Sequence, residues 1–142
     1  MTTIAYRDGV LAADGLCTCN GGVLSTRMRK IGAKGAILWS SSGDTSWAKT
    51  FRDWVSDGLK GEYPKPPDDR TGGIIYLPNG DIVVFHQLGV EHRPGLPFWA
   101  DGSGADYALG AMQAGATAEE AVRAAMVWDT GTGGEIFVLK AN

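Results

Sequence analysis

Short apolar runs, each ended after a few residues by glycine or proline, most constrain how this chain can fold. The sequence holds 21 glycines and 6 prolines among 142 residues. These residues separate the apolar runs and form no tract of their own, a pattern typical of many tight turns and not of disorder. Hydrophobic residues make up 44% of the chain, enough to build a core without disulfides or metal. We therefore predict a single domain over residues 1–142.

Six of these runs have the length and composition of β-strands. They are Thr3–Tyr6, Val10–Ala13, Ala36–Trp39, Gly73–Leu77, Asp81–Phe85 and Glu135–Leu139. Asp8-Gly9 separates the first two runs, and Asn79-Gly80 separates the fourth from the fifth. Both dipeptides favour the positive φ angles of tight hairpin turns, so the sequence predicts two antiparallel hairpins.

The segment after the third run has the periodicity of a helix. Apolar residues between Trp47 and Gly58 fall on one helical face, and Gly61 could end the helix. The proline-rich stretch 63–70 follows, and we interpret it as a surface loop because proline interrupts regular structure.

Two more helices are predicted before the last strand. One covers Ala105–Ala114, and the next begins at a capping box formed by Thr117 and Glu120 and runs through Trp128. The resulting order of strands, helix, strands, two helices and strand predicts a layered α+β fold.

Charge and cysteine usage exclude several classes of function. The net charge is −3 with no basic stripe, which argues against a nucleic-acid partner. The sequence shows neither a signal-peptide pattern nor an apolar run of membrane-spanning length, so we expect a soluble, cytoplasmic protein. Cys17 and Cys19, with His86 and His92 as further ligands, do not have the usual spacing of a zinc site. Reduced thiols on a strand are the favoured interpretation.

Thr2 is the first candidate catalytic residue. Methionine before a small residue is ordinarily removed, and the loss of Met1 would give Thr2 a free α-amine. Such an amine has a pKa of about 7.7–8.0, so part of it is neutral near neutral pH. One residue would then supply both nucleophile and general base, with no cofactor. A terminal threonine by itself is more often only the start of a strand.

Three further residues fit the needs of such a site. Lys30 could supply a cation that favours the neutral amine, Asp14 an acid that holds this cation, and Gly43 a backbone N–H for an oxyanion. Taken singly, Asp14 could mark an ordinary turn, Lys30 a solvated charge and Gly43 the approach to a helix.

Six motifs, taken together and in order, carry a more specific signal. They are Thr-Thr-Ile at 2–4, Asp14 with Thr18 four residues later, Lys30-Ile31, Ser42-Gly43, Gly-Ser-Gly at 102–104 and Asp-Thr-Gly-Thr-Gly-Gly at 129–134. Over nearly the whole chain this series resembles proteasome β-subunits and HslV-type peptidases, the threonine branch of the N-terminal nucleophile (Ntn) hydrolases. The chain is short for that family and is similar in this respect to members found in phages and prophages.

The resemblance implies a four-layer αββα sandwich and a set of catalytic roles. Thr2 would attack a peptide carbonyl, Lys30 paired with Asp14 would tune its amine, and the Gly43 N–H would stabilise the oxyanion. By the same resemblance, three residues would orient the amine and a water molecule: Ser103, Asp129 and Thr132.

The resemblance also implies how a substrate would bind. Thr18 would hold the substrate backbone as an added strand. Four uncharged side chains would line the pocket beside the scissile bond: Cys17, Met28, Ser41 and Thr45. These side chains predict a preference for a neutral or apolar substrate residue.

The expected partners follow from the same family. They are a peptide or unfolded protein as substrate, further copies of the chain in a homo-oligomeric ring, and an ATPase unfoldase encoded elsewhere. Two alternatives stay open on the sequence alone. The chain could be a catalytically silent structural or assembly subunit that keeps Met1, or a hydrolase of small amides.

Overall fold

The computed structural model describes residues 2–141, which form strands, three helices and the turns between them. The strands are β1 (Ile4–Arg7), β2 (Val10–Asp14), β3 (Cys17–Cys19), β4 (Gly22–Ser25), β5 (Ile31–Lys34), β6 (Ile37–Ser42), β7 (Gly72–Tyr76), β8 (Ile82–His86), β9 (Gly89–Arg93), β10 (Phe98–Asp101) and β11 (Ile136–Lys140). The helices are α1 (Thr45–Ser56), α2 (Ala105–Gln113) and α3 (Ala118–Trp128).

The strands form two larger antiparallel sheets and a separate hairpin. The sheet that we call the N-terminal sheet has the order β10-β1-β2-β11, and the large sheet has the order β5-β6-β7-β8-β9. Strands β3 and β4 pair only with each other among the described residues. Helices α2 and α3 pack on the N-terminal sheet, and α1 packs on the large sheet. The predicted α+β class is therefore confirmed, with the layers in the order helix, sheet, sheet, helix.

Side-chain alternation along β1 and β2 explains why these layers stack. Ile4, Tyr6 and Leu11 contact residues of the large sheet in the central core. The intervening residues Ala5 and Ala12 face the other way, against α2 and α3. Because successive side chains of a strand point to opposite faces, one short hairpin supplies both cores. Small alanines on the outer face let the two helices approach the sheet closely.

Helix α1 covers the outer face of the large sheet with aromatic side chains. The Phe51 ring stacks on Trp47 with centroids 5.0 Å apart and lies 5.7 Å from the ring of Phe85. Asp44 caps the helix by accepting a hydrogen bond of 2.8 Å from the Trp47 N–H. No helix among residues 2–141 is long and apolar enough to cross a membrane.

All six predicted strands are present, with shifted ends. The third predicted strand differs most from its prediction. It is β6, which continues beyond Trp39 to Ser42 and is followed by the turn at Gly43. The Asp8-Gly9 turn has positive φ at both residues, as predicted. At Asn79-Gly80 only the glycine has positive φ, so the second hairpin forms through a wider turn.

The helix predictions are confirmed with one correction. α1 ends at Ser56, because Gly58 already adopts a left-handed φ of 93° and breaks the helical path before Gly61. The capping box at Thr117 is present, with both reciprocal hydrogen bonds formed to Glu120. The segment 63–70 contains no helix or strand and is mostly exposed.

Candidate active site

Thr2 lies two residues before the first residue of β1 and is only 6% exposed. Its backbone N–H donates to Ser103 Oγ at 3.2 Å, and Ser103 Oγ lies 2.6 Å from Asp129 Oδ2. The serine hydroxyl has one proton, and the short contact assigns that proton to the carboxylate. The serine oxygen is thereby oriented to accept from the Thr2 nitrogen. Met1, whose removal is predicted, lies outside the residues that the structure describes.

The turn that carries Ser103 packs closely against Thr2 and Thr3. The Gly104 N–H donates to the Thr2 carbonyl at 3.2 Å. A Cβ at Gly102 would lie 2.1 Å from the Thr2 carbonyl oxygen, and one at Gly104 would lie 1.9 Å from Thr3 Oγ1. Only glycine can flank the serine at this distance, so the Gly-Ser-Gly motif has a packing reason in this fold.

Two threonine hydroxyls form a second series of contacts that ends at the same oxygen of Asp129. Thr3 Oγ1 lies 2.6 Å from Thr132 Oγ1, and Thr132 Oγ1 lies 2.6 Å from Asp129 Oδ2. Since the Thr132 proton points to the carboxylate, the Thr3 hydroxyl donates to Thr132. This network fixes the start of β1 against the turn that follows α3.

Asp129 is an ionised acceptor at the centre of this network. Burial by itself would raise the pKa of its carboxyl, but hydrogen bonds from Ser103, Thr132 and the Gly131 N–H outweigh burial and hold the pKa below its usual value. A carboxylate in this state can orient Ser103 towards the Thr2 nitrogen over the whole neutral pH range.

Asp14 and Lys30 form a buried ion pair beside Thr2. Lys30 Nζ lies 2.9 Å from Asp14 Oδ1, with side-chain exposures of 7% and 0%. The ammonium also donates to the Leu16 carbonyl at 2.7 Å. Burial lowers the pKa of Lys30, and the Asp14 carboxylate opposes that effect through charge and hydrogen bonding.

Backbone donors complete the coordination of the Asp14 carboxylate. The N–H groups of Thr3, Leu16 and Gly133 donate to it at 3.0, 3.3 and 3.1 Å. Asp14 therefore joins β1, β2 and the turn before β11 around one charge. A buried carboxylate needs this number of donors to be stable, which explains why an aspartate ends β2.

Gly43 occupies the turn between β6 and α1 with φ of 93°. A Cβ there would lie 2.5 Å from Thr71 Oγ1 and 2.7 Å from the Arg70 carbonyl oxygen, so both space and backbone conformation require glycine. The neighbouring Asp44 N–H donates to Thr71 Oγ1 at 3.0 Å, and this hydrogen bond holds the turn against the residue before β7.

Ser42 connects this turn with the one that carries Ser103. Its hydroxyl donates to Asp101 Oδ2 at 3.1 Å, across the space between the two sheets. Burial raises the pKa of Asp101, while hydrogen bonds from Ser42 and the Gly102 N–H oppose this rise. The ends of β6 and β10 are thus held together at one side of the site.

A cavity of about 300 Å³ opens beside these turns. Thr2, Lys30 and Gly43 line it together. All five residues predicted to bind substrate also line it, namely Cys17, Thr18, Met28, Ser41 and Thr45. The other predicted residues do not line the cavity but connect to Thr2 or to Thr3 beside it. Ser103 contacts the Thr2 nitrogen and is held by Asp129. Asp14 and Thr132 contact Thr3. The structure therefore brings the predicted residues into one place.

Several site residues were missed by reasoning from the sequence. Thr3 was treated only as part of a strand, although its adjacency to Thr2 places its side chain on the opposite face, towards Thr132. Lys49 and Arg52 line the cavity as well. Both follow Thr45 at helical spacings of four and seven residues, and that spacing was a signal available in the sequence.

Neither histidine nor either cysteine belongs to a metal centre within residues 2–141, where no group of His, Cys, Asp or Glu side chains could hold an ion. Cys17 is buried at the cavity, and Cys19 is exposed two residues further along β3. His92 instead contacts Asp81, at 3.1 Å.

The fold has counterparts among solved structures, whereas no protein-family model and no curated protein matches the chain. One counterpart is BPH from Thiobacillus denitrificans in complex with epoxomicin, with a TM-score of 0.68 and 22% identity. BPH from the same organism is also similar in a second structure, with a TM-score of 0.61 and 25% identity. Each alignment covers 99% of this chain and 98% of the other. At these identities the likeness shows a shared fold.

Proposed function

We propose that this chain is an N-terminal threonine hydrolase of the proteasome-like Ntn type, acting on peptide bonds through Thr2 after removal of Met1. The proposal rests on one observation: the residues predicted to take part in catalysis are grouped around Thr2. Its nitrogen contacts Ser103, and its side chain shares a cavity with Lys30 and the Gly43 turn. A terminal threonine that served only to start a strand would need none of these neighbours.

The geometry supports acylation of Thr2 as the first step. Thr2 Oγ attacks the carbonyl carbon of the scissile bond, and its proton passes to the free Thr2 amine. The carbonyl electron pair moves to oxygen, where the Gly43 N–H stabilises it; losing such a donor typically lowers the rate about 10²–10³-fold. The C–N bond then breaks, and the protonated amine gives its proton to the leaving amine.

Hydrolysis of the ester completes the cycle by the same groups. Water gives a proton to the Thr2 amine and attacks the ester carbonyl, and the C–O bond to Thr2 breaks as Oγ regains a proton. Ser103 and Asp129 hold the amine in place, because Asp129 fixes the proton of Ser103 and leaves the serine oxygen free to accept.

Lys30 has an electrostatic role in this proposal. Lys30 lines the same cavity as Thr2, and its ammonium is held by Asp14. A nearby positive charge disfavours protonation of the Thr2 amine and so increases the fraction of neutral base. Its contact with the Leu16 carbonyl also fixes the backbone just before Cys17 and Thr18.

Location and assembly belong to the same proposal. We place the protein in the cytoplasm as a homo-oligomeric ring, supplied with unfolded protein by an ATPase encoded elsewhere, as the resemblance implies. We also propose that epoxomicin, which is bound in the BPH complex, binds this chain at Thr2. This compound is therefore the first probe to use.

The test is labelling of the purified protein by epoxomicin, measured by intact mass and by peptide mapping. We expect one equivalent on the peptide that begins at Thr2, with loss of peptidase activity in parallel. Thr2→Ala should abolish both. Thr50→Ala makes the same chemical change at an exposed position of α1 and should keep both. Labelling that persists in Thr2→Ala would contradict the proposal, and no labelling together with no activity would favour a silent structural subunit.

A further inference from the structure

We infer that the cavity beside Thr2 selects an acidic side chain on the acyl side of the scissile bond. This inference rests on the proposed function and adds a substrate class to it. It departs from the neutral or apolar preference predicted from Cys17, Met28, Ser41 and Thr45, because these residues are only part of the lining.

The charged part of the lining is basic. Arg29, Lys30, Lys49 and Arg52 line the cavity, and none of the described residues that line it is acidic. Of these four, Lys30 is paired with the buried Asp14 carboxylate at 2.9 Å. The other three come from the segment before β5 and from α1, on the side that is open to solvent.

Nearby carboxylates only partly balance these cations. Lys49 and Arg52 lie 2.9 and 3.7 Å from the single carboxylate of Asp53, which is 53% exposed. The Arg29 guanidinium lies over the Phe137 ring at 4.8 Å, a contact that adds no negative charge. The lining therefore has an excess of positive charge.

A substrate carboxylate would relieve this imbalance. Lys49 and Arg52 are one turn apart on α1 and extend from the helix that begins at the Gly43 turn. Thr45 lies on the same helical face and also lines the cavity. A glutamate or aspartate next to the attacked carbonyl would then meet exposed basic groups, while neutral side chains such as Cys17 and Ser41 leave room for it.

The experiment compares two fluorogenic tripeptide amides that end in Glu or Gln before the leaving group. The two side chains have the same shape and differ in charge. We expect kcat/KM to be about tenfold higher for the Glu substrate, as two partly exposed ion pairs would give. The ratio should decrease as salt is raised from about 0.05 M to about 0.5 M, since exposed pairs are screened.

A double substitution, Lys49→Met with Arg52→Met, should bring the Glu-to-Gln ratio close to one. Both residues are exposed, so the variant should fold. Arg123→Met is the matched control: it removes an exposed helical arginine on α3, paired with Glu119 and away from the cavity, and should leave the ratio unchanged.

The outcomes separate this inference from the proposed function. Equal hydrolysis of the two peptides, faster hydrolysis of the Gln peptide, or a ratio that survives the double substitution would overturn the acidic preference while the hydrolase stands. Absence of hydrolysis of both peptides, with Thr2 unlabelled by epoxomicin, would overturn the proposed function and the preference with it.

Discussion

The buried ion pair between Asp14 and Lys30 gives the sharpest prediction about stability. Lys30→Met keeps most of the side-chain volume and removes the ammonium. The Asp14 carboxylate, 0% exposed, then keeps its backbone donors but loses the charge 2.9 Å away. A buried carboxylate without its cation is the costly outcome, because only neutral backbone N–H groups then compensate its charge.

The expected loss of unfolding free energy is about 3–5 kcal/mol, the range found when one partner of a buried pair is removed. At roughly 3 °C per kcal/mol for a domain of this size, the midpoint of thermal unfolding should decrease by roughly 9–15 °C. Lys49→Met is a matched control. It breaks a pair of the same 2.9 Å length whose side chains are 69% and 53% exposed, and it should cost about 0.5 kcal/mol or less.

Urea unfolding followed by tryptophan fluorescence measures both variants, and the chain carries five tryptophans. All proteins should be compared at one concentration, because assembly would add to the measured stability. A change in the midpoint with unchanged slope identifies a change in stability. A loss for Lys30→Met no larger than that for Lys49→Met would show that burial does not make the Asp14–Lys30 pair costlier to break than an exposed pair.

Three further predictions concern other parts of the structure. Burial raises the pKa of Asp101 above its usual 3.8, so the folded state holds this proton more tightly and stability is lost as pH rises through the folded pKa. Asp101→Asn should therefore gain stability relative to the parent as pH rises above 3.8, and a pH-independent difference in urea midpoints would contradict this. Gly104→Ala places a Cβ 1.9 Å from Thr3 Oγ1 and should cost about 1–3 kcal/mol. Gly110→Ala has open space in α2 and should gain about 0.5–1 kcal/mol, and equal melting temperatures for the two variants would refute the packing argument. Thr117→Ala removes the capping box of α3 and should cost about 1 kcal/mol in thermal unfolding with unchanged activity; no loss of stability would contradict the assigned cap.

Strands with strong local signals could be predicted, and strands without them could not. β1 and β2 have apolar residues joined by Asp8-Gly9, and this information is local. β4 and β9 are largely exposed, so their residues show no apolar alternation. Their existence depends on pairing with neighbours that a single sequence does not identify.

In the candidate site, too, residues in short motifs could be predicted, whereas contacts that depend on the tertiary fold could not. Asp14, Lys30 and Ser103 could be nominated because they stand in recognisable short motifs. The contact between Thr3 and Thr132, 129 residues apart in sequence, depends on how β1 meets the turn after α3. The basic lining from Lys49 and Arg52 depends on which face of α1 points to the cavity, and packing of the helix on the large sheet decides that.

The most direct test of catalysis by Thr2 is analysis of the N-terminal peptide of the protein isolated from the cells that produce it. Mass spectrometry of that peptide shows whether the Thr2 nitrogen is a free amine or an amide. We predict that the chain begins at Thr2, with the amine beside Ser103 available as the base. A peptide that retains Met1 in the assembled, purified protein would contradict catalysis by Thr2.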